Sequence, residues 1–193
     1  MRRNKEKTIE DLMKAAYIIF SKKGYEKATV DDIATAAGYT KGAFYWHFLN
    51  KEDLFLKIID YKIDAQQTEF LAYFSLKKDL FTNVHDVFSH MIELTQKDNW
   101  TPIFIEFLAQ AERSEKVKEK MSFMYTKWRV FIEKILEQLQ ESGFLSKEIN
   151  IHSSAVLIIA VFDGINMQNL VNPGIIDFQD VIKYIAIMLS SST

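Results

Sequence analysis

Thr29-Val30-Asp31-Asp32-Ile33-Ala34-Thr35-Ala36-Ala37-Gly38-Tyr39-Thr40-Lys41-Gly42-Ala43-Phe44-Tyr45-Trp46-His47-Phe48 is the stretch on which the fold turns. Its apolar residues fall into two short stripes of helical period, separated by a turn at Gly38. Thr29 is placed to cap the first helix, with Asp32 three residues on in a capping-box position. That helix turns Ile33, Ala34 and Ala37 inward, and the alanines permit close helix approach. Thr40 is placed to cap the second helix, whose Phe44 and Phe48 stand four residues apart and share its inner face. The other face of the second helix carries Lys41, Tyr45, Trp46 and His47, with Thr40 and Gly42 at its start. A recognition helix needs this arrangement, with N-terminal side chains for base edges and donors beside them for phosphates. Gly42 lies inside a helix, where glycine costs about 1 kcal/mol against alanine. Close backbone approach to DNA or tight internal packing would account for it.

Outward from this segment the helical period continues, with no convincing strand alternation. Ile9, Leu12, Met13, Ala16, Ile19 and Phe20 form a stripe that ends at Gly24. Asn50 is placed to cap a long fourth helix, with Glu52 and Asp53 in its first turn. The spacing predicts further helices over roughly 51–75, 80–97, 100–111, 114–141, 150–171 and 177–190. Residues 155–162 are apolar all round, which predicts burial on every side. The fold class is therefore all-α.

The formal net charge of −2 is unevenly distributed. Residues 1–51 carry a balance of +4 and residues 52–193 a balance of −6. A basic end on an acidic body suits a chain whose residues 1–51 meet phosphate, with residues 52–193 as a separate body. The absence of cysteine excludes disulfides, thiolate metal sites and thiol redox sensing, and suits a cytoplasmic protein. The basic N-terminus leads into an amphipathic segment and not a signal peptide. The longest apolar run, Ala155–Phe162, is far short of the roughly 20 residues a membrane span needs, so a soluble chain is expected.

An enzyme finds little support. His47, His85, His90 and His152 have no metal-ligand spacing, and no phosphate loop, nucleophile elbow or cysteine nucleophile is present. No cofactor and no metal are expected.

Residues roughly 8–55 resemble the DNA-binding domain of the TetR/AcrR family of bacterial regulators. The resemblance rests on Ala16, Phe20, Gly24, Tyr25, Thr29, Val30, Ile33, Ala34, Ala37, Gly38, Lys41, Gly42, Tyr45, His47, Phe48, Lys51 and Leu54, in an ungapped order. Tyr39 departs from it, standing where the pattern commonly has a small aliphatic residue. The resemblance implies a nine-helix homodimer with one helix-turn-helix head per subunit, reading successive major grooves of a pseudo-palindromic operator. It places Thr29, Val30, Thr40, Lys41, Tyr45, Trp46, His47 and Lys51 at or near DNA, with Gly42 allowing close approach and Lys51 holding a phosphate. Repression is the usual mode of the family, relieved by a small effector. An architectural DNA binder with no effector is the alternative.

The body is rich in aromatics and methionines, which suits a small-molecule cavity as well as ordinary core. Candidate pocket residues are Phe70, Phe74, Phe88, Met91, Trp100 and Phe104, then Phe107, Met121, Met124, Tyr125, Trp128 and Phe162. Glu106 joins them because a carboxylate within Ile103–Leu108 needs either an internal donor or a cationic ligand. The last two helices are expected to form the dimer interface through Ala155, Ile158, Ile159, Phe162 and Ile165, with Val181, Ile185, Met188 and Leu189.

Overall fold

The computed structural model describes residues 2–97 and 100–190; the outermost ends of both expected domains lie outside these. The described residues form nine α-helices and no strand: α1 Arg2–Lys23, α2 Val30–Ala36, α3 Lys41–His47, α4 Lys51–Tyr73, α5 Leu80–Lys97, α6 Trp100–Leu108, α7 Glu115–Glu141, α8 Ile151–Val171 and α9 Phe178–Ser190. A 3-10 turn, Ala109–Glu112, ends the sixth segment, where the spacing alone predicted continuous helix to residue 111. The expected caps are present. Thr29 and Asp32 form a complete capping box at α2, and the Thr40 hydroxyl accepts from the Ala43 N–H at α3. The Asn50 side-chain Oδ1 accepts from the Asp53 N–H at α4.

Two compact units result: residues up to Lys62 with Pro102–Met121, and Ile63–Thr101 with the residues from Ser122 onward. By packing, the first unit therefore reaches well past residue 51. It holds the start of α4, most of α6 and the first turns of α7. Its core is the inward set expected from the sequence, with Leu12, Ala16, Phe20, Ile33, Ala34, Phe44 and Phe48 all buried. Phe107 of α6 completes that core. Its ring stacks on Phe55 at 4.0 Å and meets Tyr25 edge-on at 5.0 Å. Lys116 of α7 lies 3.7 Å from Glu52 and 3.6 Å from Asp53, and Lys120 pairs with Asp60, so α7 is fastened to the first turns of α4.

In the second unit α5 packs on α9, around Val84, Phe88, Ile135, Leu139, Ala155, Ile158, Ile182, Ile185 and Leu189. Residues 155–162 are not buried on every side as expected. Val156 is 47% and Leu157 46% exposed, because the second unit offers α8 one packing face and not a full surround. By length and composition α8 could cross a membrane, but Ala155, Ile158 and Ile165 are buried against protein.

Phe107 is wholly buried among aromatic rings, so Phe107→Ala is expected to destabilise the protein by about 3–5 kcal/mol. Urea unfolding checks this; a loss under about 1 kcal/mol would mean that the site collapses without a cavity.

Candidate functional site

The outer face of α3 is open. Trp46 is 81% and Tyr45 50% exposed, Thr40, Lys41 and Gly42 are exposed, and Phe44 and Phe48 hold the helix to the core. Both aromatics beside the inner pair thus face outward, although the edge of the Tyr45 ring still meets Phe44 at 5.5 Å. His47 is half-buried, and its Nδ1 is buried with no hydrogen-bond partner among the described residues. Thr29 is exposed and Val30 half-buried at the start of α2. A Cβ at Gly42 would meet only the Thr40 hydroxyl, at 3.7 Å. Among the described residues, no internal packing demands glycine there.

The turn before α3 is tied down from α1. The Tyr39 hydroxyl donates to Asp11 at 3.0 Å, so the residue that departs from the family pattern is used as a brace. Lys23 donates to Asp32 at 2.6 Å, joining α1 to α2. That bond, with those from Thr29, holds the Asp32 carboxyl down to about 2. The Lys41 ammonium sits 2.7 Å from Asp31 of α2.

Lys51, expected to hold a phosphate, is engaged inside the first unit. Its ammonium donates to the carbonyls of Tyr25 at 2.6 Å, Glu26 at 3.1 Å and Ala28 at 3.0 Å, and lies over the Tyr25 ring. An ammonium has three donors, and all are used on the loop between α1 and α2. Burial lowers the Lys51 pKa without emptying this cage. From the other side, the Glu106 carboxylate accepts the N–H groups of Tyr25 and Glu26, each at 2.8 Å. The Gln110 amide adds a bond to the Glu26 side chain. Of the two partners open to Glu106, the internal donor is the one present. Gly24 is required beneath it, since its φ is +78° and a Cβ there would come within 2.9 Å of the carboxylate.

The expected pocket set separates. Phe104, Glu106, Phe107 and Met121 belong to the first unit, where Phe107 and Met121 are plain core. Phe70, Phe74, Phe88, Met91, Trp100, Met124, Tyr125, Trp128 and Phe162 belong to the second. There Phe70 and Trp128 each meet Phe131 edge-on, at 5.1 Å and 5.8 Å. Phe131 lies on the same helical stripe as Trp128. Asp163 faces Tyr125; burial raises the carboxyl, while the tyrosine hydrogen bond pulls it back. Burial, with the nearby carboxylate, raises the Tyr125 phenol. The Gln67 amide nitrogen and the Ser89 hydroxyl are buried in this unit with no hydrogen-bond partner among the described residues. Among those residues, no group of three or more His, Asp or Glu could hold a metal.

The expected interface residues lie mostly on the inward faces of α8 and α9. Ala155, Ile158, Ile165, Ile185 and Leu189 are buried in their own subunit, and Phe162, Val181 and Met188 pack against that core with Ile159 half-buried. The apolar side chains left open are Val156, Leu157, Met167, Leu170 and Val171 on α8, with Tyr184 and Ile187 on α9.

Comparison with known proteins agrees with this geometry. A family model described as bacterial regulatory proteins, tetR family, matches residues 12–58. A second, described as BetI-type transcriptional repressor, C-terminal, matches residues 82–191. The HTH-type transcriptional regulator AcrR of Shigella flexneri is 25% identical over 194 residues, covering 95% of this chain and 88% of that protein. The regulator FadR of Bacillus subtilis, solved with stearoyl-CoA, is similar in fold at a TM-score of 0.76 and 19% identity, over 95% of this chain and 98% of that one. SmeT of Stenotrophomonas maltophilia, solved with triclosan, superposes at a TM-score of 0.73 and 22% identity, over 94% of this chain and 90% of that one.

With its three donors spent internally, Lys51 is expected to act as a strut. Lys51→Ala is expected to cost about 2 kcal/mol of stability. It should leave the salt dependence of DNA affinity unchanged, as measured by fluorescence anisotropy. A shallower slope, by about one unit of log affinity per log salt, would return Lys51 to the phosphate backbone.

Proposed function

Because the chain belongs to the TetR family of bacterial transcriptional regulators, we propose that it works as a cytoplasmic homodimer that represses from a pseudo-palindromic operator and is released by a small hydrophobic effector. The observation that carries the DNA-reading part is the outer face of α3, where Thr40, Lys41, Gly42, Tyr45 and Trp46 stand open on a helix whose inner face is locked by Phe44 and Phe48. Thr29, Val30 and His47 lie beside this face as further contacts. A dimer places two such helices in successive major grooves, with half-site spacing set by the subunit interface.

The exposed apolar rows of α8 and α9 support the dimer. Water-facing Val156, Leu157, Tyr184 and Ile187 would be covered by the same rows of a second copy about a two-fold axis. The buried, unpaired polar atoms of Gln67 and Ser89, with the Tyr125–Asp163 pair, support an effector site in the second unit. Buried polar groups ordinarily have partners, and a ligand would supply them amid aromatic walls. The neighbours solved with stearoyl-CoA and with triclosan support the same reading. The effector would act by favouring a conformation whose heads no longer match the groove spacing.

Lys41→Ala and Tyr45→Ala are each expected to weaken binding to an operator selected from random duplexes by about tenfold, with an unchanged circular dichroism spectrum. Unchanged affinity in a gel-shift titration would remove α3 from the interface. Leu157→Glu is expected to convert a dimer to a folded monomer in size exclusion with light scattering at micromolar concentration. A wild-type monomer, or a variant that still dimerises, would overturn the α8–α9 interface.

A further inference from the structure

The inner face of α3 is anchored in its middle and at its far end. Phe44 is buried and Phe48 is buried just past the last turn, while Lys41 and Gly42 of the first turn are exposed and Ala43 is half-buried. In helix-turn-helix proteins it is this first turn that meets base edges. The Thr40 cap bonds within the helix and sets no direction toward the rest of the fold. α1 packs on α2 and α2 on α3, so the helix is placed through α2 and the two inner phenylalanines.

The Tyr39 side chain adds a link of another kind. It stands one residue before the cap, reaches back to α1, and donates its hydroxyl to the Asp11 carboxylate at 3.0 Å. Both residues are half-buried, and a hydrogen bond to a charged acceptor is among the stronger ones. The Lys41–Asp31 pair also touches the first turn, but both its side chains are more than half exposed, and such pairs hold little. A small aliphatic residue at position 39 could not make the bond to Asp11.

We propose that Tyr39 is a positioning residue for base reading, which acts through Asp11 to hold the first turn of α3 in the orientation that base edges require. This inference rests on the proposed DNA-reading role of α3.

The physical basis is a difference in tolerance. Hydrogen bonds to base edges demand one orientation of the first turn, whereas phosphate contacts on arbitrary sequence are met by several. Without the hydroxyl, the first turn of the free protein samples further orientations, and only a fraction of molecules is ready for the operator. Operator affinity falls by that fraction. A complex on random sequence accepts the other orientations as well and keeps its affinity. What the tie to α1 supplies is therefore discrimination, not general attraction to DNA.

Anisotropy titrations of the full-length protein would use the selected operator and a random-sequence duplex, for wild type, Tyr39→Phe, Asp11→Ala and the double variant. Tyr39→Phe is expected to weaken operator binding about fivefold, the worth of one hydrogen bond, with random binding unchanged. Asp11→Ala removes a negative charge, which favours both duplexes alike, so the ratio of operator to random affinity is its readout. That ratio should fall by the same factor as in Tyr39→Phe, and the double variant should lower it no further. An equal loss on both duplexes, an unchanged ratio, or additive losses would each overturn the proposal. So would a wild-type ratio in Asp11→Ala, which would put the Tyr39 hydroxyl on DNA itself. Tyr45→Ala separates this from the underlying reading. If it keeps the wild-type ratio, α3 does not read bases and the proposal falls with that role; if it lowers the ratio while Tyr39→Phe does not, the proposal alone falls. Circular dichroism confirms that each variant is folded.

Discussion

The loop between α1 and α2 is the constraint on which the first unit depends. Its backbone turns sharply at Gly24 and leaves polar groups facing in two directions, and a buried backbone group without a partner is costly. Two charged side chains from distant parts of the sequence satisfy it: Lys51 takes three carbonyls and Glu106 takes two N–H groups. A cation on carbonyls and an anion on amides are each the favourable polarity, and charged hydrogen bonds are stronger than neutral ones. The loop thereby fixes where α2 begins, and α2 carries α3. The position of the reading helix is set by α4 and α6 as much as by the helix-turn-helix itself.

This arrangement explains why some of the site was legible in the sequence and some was not. Caps, turns and inner faces are local: Thr29 with Asp32, Thr40 with Ala43, and Phe44 with Phe48 lie within four residues of each other and were read correctly. Lys51 and Glu106 act across 26 and 81 residues, respectively. Nothing local distinguishes a lysine on a phosphate from a lysine on three carbonyls. For Glu106 the sequence reached the right question, a carboxylate in an apolar stretch needing a partner, but could not choose between a ligand and an amide pair.

The same limit governs the helix faces of α8 and α9. A helix apolar on all sides says how much surface must be covered, not which side the subunit covers itself. Ala155 and Ile158 went to the internal core, and Val156 and Leu157 were left outside. The positions expected for a partner lie largely on the inward face, because the chain's own packing uses them. The all-α class and the helix bounds were insensitive to this, since they depend on period alone.

Charge shows how far a count can mislead about a surface. The first 51 residues are basic by four, which suggests an end ready for phosphate. Yet Lys23, Lys41 and Lys51 are all engaged inside the unit, with Asp32, Asp31 and backbone carbonyls. Their partners differ in what they would yield. The partners of Lys51 are three carbonyls of one loop, and the partner of Lys23 also closes a helix cap; breaking either loosens the fold. Of the three, Lys41 is the one held by an exposed carboxylate outside the capping box. A positive charge bound in that way is still available to DNA; the excess of four already counts Asp31 and Asp32, so it stands at a distance, while the count does not say which cations are engaged at close range.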